Sequence, residues 1–304
     1  MVIVVGPTGS GKSDLAIEVS KEIDGEVVNC DSIQIYRHFN IGAAKLPPAQ
    51  QRGIPHHLVD IADPDQVFTA GDYARAARAV LQSIVARAKV PVVTGGTGFY
   101  LRALLDGLFE GPPRNQALRD RLSPAERARP GLLHRLLRRI DPAAAARIHP
   151  NDVNKLIRAV EIIAGARRPL TAAWEQGRQR LGGFRTLKIG LNPPRSLLYE
   201  RLNQRSRRMF DLGLMDEVRA ILDMGYPASA KPFASLGYLQ ALRCLKGECT
   251  LEQAVADTEI KTRQYAKRQW TWFRSDPEVQ WVDGLGDESR VRDLVVEKVR
   301  RFLQ

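Results

Sequence analysis

Apolar residues enter this chain as short unbroken runs and then recur at helical spacing. Residues 2–5 are Val-Ile-Val-Val, a β-branched run too short for a helix, and predict a buried strand. Residues 13–23 follow with helix-friendly spacing. A second strand is expected at 26–29, a short one at 57–60 and another buried one at 90–94. Between them Tyr73, Ala76, Ala77, Val80, Leu81 and Ile84 mark a helix over 71–88, and a further helix begins at 98–105. Strand and helix in alternation predict an α/β fold with a parallel sheet core. Ligands of such sheets gather at the carboxyl ends of the strands.

Gly111-Pro112-Pro113 breaks the alternation. From there to about 183 only short helical stretches stand out: 132–140, 142–148, and one to 163 capped by Asn151 or Asp152. An apolar strand at 186–191 follows Gly182-Gly183, and there the sheet resumes. Residues 114–185 therefore read as an α-helical insertion in a catalytic core built from 1–113 and 186–304. The core continues with helices at 195–212, 215–224, 236–245 and 251–274, a strand at 279–282 and a last helix at 289–302. No repeat or low-complexity segment exceeds the alanine run at 143–146.

Composition narrows the class. The 304 residues are 44% apolar, enough for a large core, and no apolar run approaches the roughly 18 residues of a membrane span. With a strand already at 2–5, no signal peptide is expected, and the chain reads as cytoplasmic. Cys30, Cys244 and Cys249 have no metal spacing and read as ordinary thiols of a reducing compartment. The net charge of +12 is unevenly placed. Residues 114–185 hold 16 Lys and Arg against 6 acids, while residues 1–113 hold 10 against 12. A basic block beside a near-neutral region points to a polyanionic partner, although a solvated Arg-rich surface gives the same count.

The chemistry starts at Gly6-Pro7-Thr8-Gly9-Ser10-Gly11-Lys12-Ser13. This is G-x-x-x-x-G-K-S between a strand and a helix, the setting in which backbone N–H groups cradle a phosphate. Lys12 adds a full charge, and the Ser13 hydroxyl can hold Mg²⁺. Most such loops bind ATP or GTP. Here no acid follows the strand at 90–94, where a nucleotide hydrolase places its metal-holding Asp. Gly95-Gly96-Thr97-Gly98 follows instead, and the stretch 57–60 offers only Asp60 as a substitute. Asp31, at the end of the second strand, suits a metal ligand, a general base or a helix cap. Arg201, Arg205 and Arg208 share one helical face, and a guanidinium there would neutralise a diphosphate. In the helix at 251–274, Arg263, Lys267 and Arg274 interleave with aromatics, as an RNA contact would, while Trp270, Trp272 and Phe273 read rather as core.

Nine strings in order resemble the bacterial form of the tRNA dimethylallyltransferase (tRNA isopentenyltransferase) family. They are GPTGSGKS (6–13), DSIQIY (31–36), IGAAK (41–45), PHHLVDIADP (55–64), GGTGFYL (95–101), ARIHPNDVNKLIRAVE (146–161), RLNQR…MF..GLMDEV (201–218), LGY (236–238) and AKRQWTWFR (266–274). Gly9, Lys155 and Leu236 depart from the family's usual residues, none of them in a catalytic role.

The resemblance implies transfer of a dimethylallyl group from dimethylallyl diphosphate to N6 of the adenosine at position 37, beside the tRNA anticodon. Residues 6–13 then hold the leaving diphosphate, with Mg²⁺ at Ser13 as the cofactor. Asp31 accepts the N6 proton, Arg205 neutralises charge, and Thr8 and Thr97 position the reacting groups. The flipped adenine sits around Asp31, Ser32, Ile33 and Gln34. The anticodon stem-loop is held through Arg119, Lys155 and Arg158 of the insertion and through Lys267, Arg268 and Arg274. A monomer with no membrane partner is expected. A P-loop small-molecule kinase, a prenyltransferase of free adenine nucleotides and a non-catalytic RNA-binding protein are the rival readings. The basic insertion, the helix at 251–274 and the cradle with Asp31 and Thr97 argue against each in turn.

Overall fold

The computed structural model describes residues 1–109, 111–175 and 179–304. Its strands are Val2–Val5 (β1), Gly25–Asn29 (β2), His56–His57 (β3), Val90–Thr94 (β4), Leu187–Leu191 (β5) and Val279–Val282 (β6). They form one sheet in the order β3-β2-β4-β1-β5-β6, every pairing parallel. β1 is central, between β4 and β5, and its four residues are at most 2% exposed. Burial on both faces explains why it reads as an unbroken apolar run with no alternation. Because all strands run one way, the loops after β1, β2 and β4 leave from the same edge. That edge carries the site.

Helices Lys12–Glu22 (α1), Ala70–Ala86 (α2) and Gly98–Leu105 (α3) accompany the first four strands. α2 starts in a capping box, with Thr69 Oγ1 accepting from Asp72 N–H and the Asp72 carboxylate accepting from Thr69 N–H. The sheet core packs Val2, Val4, Val27, Val92 and Ile189 against Leu15 and Val19 of α1. The later helices of this unit are Arg195–Asp211 (α9), Leu214–Asp223 (α10), Tyr238–Leu245 (α11), Leu251–Arg274 (α12) and Ser289–Leu303 (α13). No helix among the described residues is long and apolar enough to cross a membrane.

Two compact units emerge: Met1–Leu105 with Leu181–Gln304, and Asp106–Arg180. The insertion thus extends from 106 to 180, against the 114 and 185 read from the sequence. Its return is early because Leu181 N–H already bonds to the Leu105 carbonyl at 2.8 Å. The unit contains Gln116–Ala128 (α4), Leu132–Ile140 (α5), Pro142–Arg147 (α6), Val153–Ala166 (α7) and Leu170–Glu175 (α8) around Leu133, Leu137, Leu156 and Ile162. α4 and α8 are absent from the sequence reading. α4 fully buries only Glu126 and carries Pro124 inside, and its apolar stripe, Leu118, Leu122 and Ala125, is short and only half-buried.

The short third strand also departs from its expected span. It ends at His57, and Leu58 and Asp60 take left-handed backbone conformations, φ 61° and 56°. Asp60 is held by Lys45 at 2.5 Å and leaves the substitute metal-acid role unfilled.

Candidate active site

The loop after β1 is shaped to receive an anion. Gly9 and Gly11 have φ of 77° and 82°, and a Cβ on Gly11 would stand 2.8 Å from the Gly286 nitrogen. Only glycine meets both conditions there. α1 opens directly from Gly11 with no side-chain cap, so its first N–H groups keep no side-chain acceptor. Lys12 Nζ donates to the Pro7 carbonyl at 2.7 Å, folded back over the loop. Burial, then the Arg205 charge, push the Lys12 ammonium down to about 7, with Asp31 opposing. An arriving polyanion supplies the counter-charge that this lysine lacks.

Arg205 comes to the cradle from α9. Its guanidinium donates to Thr8 Oγ1 at 3.4 Å, and burial lowers its pKa. Arg201, one turn earlier, also lines the cavity and pairs with Asp287 at 2.8 Å. Arg207 pairs with Glu259, and Arg208 is exposed, so only part of this basic face points to the site.

The second side of the cavity is built at the ends of β2 and β4. Asp31 Oδ1 accepts from Ile33 N–H at 2.8 Å and Gln34 N–H at 3.3 Å. Asp31 therefore caps its own turn and lines the cavity at once. Thr97 Oγ1 accepts from Ser32 N–H at 3.0 Å and donates to Ser32 Oγ at 3.3 Å, which ties the two loops together. Gln34 Nε2 donates to the Ala43 carbonyl at 3.1 Å. Of the adenine-site stretch, Asp31 and Gln34 line the cavity and Ser32 is held by Thr97.

These groups surround one cavity of about 300 Å³. Thr8, Gly9, Gly11, Lys12, Ser13, Asp31, Gln34 and Arg205 line it together, as do Gly95 and Gly96. Among the lining residues that the sequence reading did not place at the site are Tyr265, whose phenol is pushed up by burial, and Gln269. They stand four apart on the inward face of α12. The i, i+4 spacing places both on one helical face, but in the sequence the cations Lys267 and Arg268 stand out beside them. Among the described residues no three His, Cys, Asp or Glu side chains gather as a metal site.

The remaining basic candidates fall into two groups. Lys267, Arg268 and Arg274 are exposed on α12, and Arg274 lies 5.9 Å from the Trp281 ring centre. Lys155 is 72% exposed and pairs only locally with Asp152. Arg119 and Arg158 are instead occupied within the helical unit. Arg119 grips the fully buried Glu161 carboxylate through two bonds, 2.7 and 2.6 Å, and Arg158 adds a third at 3.4 Å. Burial pushes the Glu161 carboxyl up, but Arg119, the Asn115 N–H and Arg158 outweigh it and hold it below its ordinary value. The aromatics also divide: Trp270 and Phe273 are core, whereas Trp272 is 41% exposed.

The family model for IPP transferases matches residues 34–276. A tRNA dimethylallyltransferase of Solibacter usitatus is 54% identical over 303 residues, covering 100% of this chain and 99% of that protein. Another, of Koribacter versatilis, is 51% identical over 292 residues, covering 96% of this chain and 95% of its own. The crystal structure of a tRNA isopentenylpyrophosphate transferase from Bacillus halodurans superposes with a TM-score of 0.72 at 34% identity, covering 99% of this chain and 94% of that one. A eukaryotic dimethylallyltransferase solved acting on tRNA shares the fold, with a TM-score of 0.83 at 24% identity.

Proposed function

The chain belongs to the IPP transferase family, and from that premise we propose how its cavity moves a five-carbon allylic group onto tRNA. The activity is dimethylallyl transfer to tRNA. The observation that carries the assignment of roles is the convergence of Lys12, Arg205 and Asp31 on one cavity, each held by neutral partners.

Residues 6–13 hold the diphosphate of dimethylallyl diphosphate. An exocyclic adenine amine is a poor nucleophile, so the allylic C–O bond must weaken early. Negative charge then grows on the diphosphate. Lys12, Arg205 and the N–H groups at the start of α1 meet that charge in a site already organised for it. The N6 lone pair forms the new bond to C1 as the C–O bond breaks and the diphosphate leaves with the electron pair. Asp31 takes the N6 proton. Its Oδ1 is held by two N–H groups, which aims the second carboxylate oxygen. Thr97 fixes the Ser32 backbone beside it.

The acceptor is the adenosine at position 37, turned out of the anticodon stem-loop so that its amine reaches the cavity. Lys155, Lys267, Arg268 and Arg274 contact RNA phosphates, while Arg119 and Arg158 act mainly through Glu161. Ser13 lines the cavity beside the cradle, and its hydroxyl would hold Mg²⁺ together with oxygens of the diphosphate. When bound, the ion supplies further charge stabilisation to the departing diphosphate. The protein works as a cytoplasmic monomer.

The test incubates the protein with Mg²⁺, dimethylallyl diphosphate and unmodified tRNA. Diphosphate and N6-dimethylallyl adenosine are expected in equal amounts at a single position beside the anticodon. ATP in place of the prenyl donor yields no modified base. Prenylation of free adenine nucleotides in preference to tRNA contradicts the reading.

A further inference from the structure

One buried side chain joins the two loops that carry the reacting groups. Gln269 is 4% exposed on α12. Its Oε1 accepts from Thr8 N–H at 2.7 Å, and its Nε2 donates to the Gly96 carbonyl at 2.9 Å. Thr8 and Gly96 belong to the loops after β1 and β4, which are adjacent strands of the sheet. A carboxamide suits this bridge because one planar group offers an acceptor and a donor together. A carboxylate has no donor for Gly96, and an ammonium has no acceptor for Thr8. Gly96 must also lack a side chain, since a Cβ there would stand 2.1 Å from Gln269 Nε2.

The two loops have different tasks in the reading above, on which this inference rests. Thr8 belongs to the diphosphate cradle, and its hydroxyl accepts from Arg205. The Gly96 loop carries Thr97, which fixes the turn containing Asp31. The distance between these loops is the distance between the leaving group and the base. We propose that Gln269 is a positioning residue that sets this distance, so that C1 of the donor and N6 of the acceptor meet in line. Its hydrogen bonds are made to backbone, and neither substrate needs to touch it. The bridge therefore governs the rate of transfer more than the affinity for either substrate.

A misplacement of about 1 Å at a reacting centre costs on the order of 100-fold. Gln269→Ala is expected to lower kcat about 10- to 100-fold, with KM for dimethylallyl diphosphate and for tRNA each within about threefold of wild type. Gln269→Glu, almost unchanged in shape, lowers kcat in the same way because it cannot donate to Gly96. Gly96→Ala evicts the carboxamide from the other side. Because Gly96→Ala and Gln269→Ala break the same bridge, the double variant is no slower than the slower single one. Wild-type kcat in Gln269→Glu, a raised KM with kcat unchanged, or losses that multiply in the double variant would each overturn the proposal. Thermal melting of every variant accompanies the kinetics, and Gln269→Glu carries the test if truncation unfolds the protein. Failure of wild-type enzyme to transfer the group refutes the underlying reading instead, and is seen before any variant is made.

Discussion

The sheet unit and the helical unit use charge in opposite ways. In the helical unit, Arg119 and Arg158 close on Glu161 and satisfy it. In the sheet unit, Lys12, Arg205 and Asp31 line one cavity but rest on neutral groups: a carbonyl, a hydroxyl and backbone N–H donors. The region with the larger basic surplus thus spends two of its least exposed arginines on itself. The near-neutral region keeps a few charges poised. A surplus of cations in a sequence is therefore not a count of cations available to a ligand. What stabilises a reacting charge is a small number of donors fixed in advance.

The sharpest way to break this contrast is to remove a poised charge. Lys12→Ala should lower transfer roughly 100- to 1000-fold, the scale of losing one organised donor. The same residue carries a pH signature. In the free protein burial and the Arg205 charge push the Lys12 ammonium down to about 7. An anion favours the ammonium, so diphosphate binding takes up a proton above that pH. Wild-type affinity for inorganic diphosphate should then weaken by up to about tenfold per pH unit above neutrality, relative to Lys12→Ala, which shares the ligand's own titration. Calorimetry from pH 6 to 9 measures both, and parallel curves would refute the poised lysine.

Removing a self-paired charge should act on stability. Arg119→Ala leaves the buried Glu161 carboxylate short of its main partner and should cost the protein about 3–5 kcal/mol in denaturant unfolding. The sign follows from Glu161, whose carboxyl is held below its ordinary 4.5. The deficit is full above that pH and fades as pH falls through the folded value. A loss of tRNA affinity at unchanged stability would return Arg119 to the RNA surface. The smallest effect belongs to an exposed, locally paired cation. Lys155→Ala should weaken tRNA binding a few-fold and reduce the salt slope of log affinity by about one.

The sheet was legible because its strands are short, β-branched and bounded by glycine, and because the phosphate loop names its own flanks. Asp31, Thr97 and Arg205 were legible by position at strand ends and on a helical face, and by likeness to a family. α4 was hidden because its apolar stripe is only Leu118, Leu122 and Ala125, none of them fully buried, with Pro124 inside it. Gln269 was hidden for another reason. Its partners, Thr8 and Gly96, lie 261 and 173 residues away, and nothing local in Arg268-Gln269-Trp270 announces a bridge. The fate of Arg119 was equally non-local, since its partner Glu161 stands 42 residues on. Local periods reveal which elements form. Partnerships across the fold decide which charges remain to do chemistry.

Asp31→Asn gives the most direct test of the poised base. The amide oxygen still accepts from Ile33 and Gln34, so the turn persists, but the proton acceptor is gone. Single-turnover transfer on tRNA at saturating dimethylallyl diphosphate is the measurement. The account predicts a rate at least ~100-fold below wild type with tRNA affinity unchanged. A wild-type rate in Asp31→Asn would mean that Asp31 only caps its turn, and the contrast between poised and self-paired charge would lose its centre.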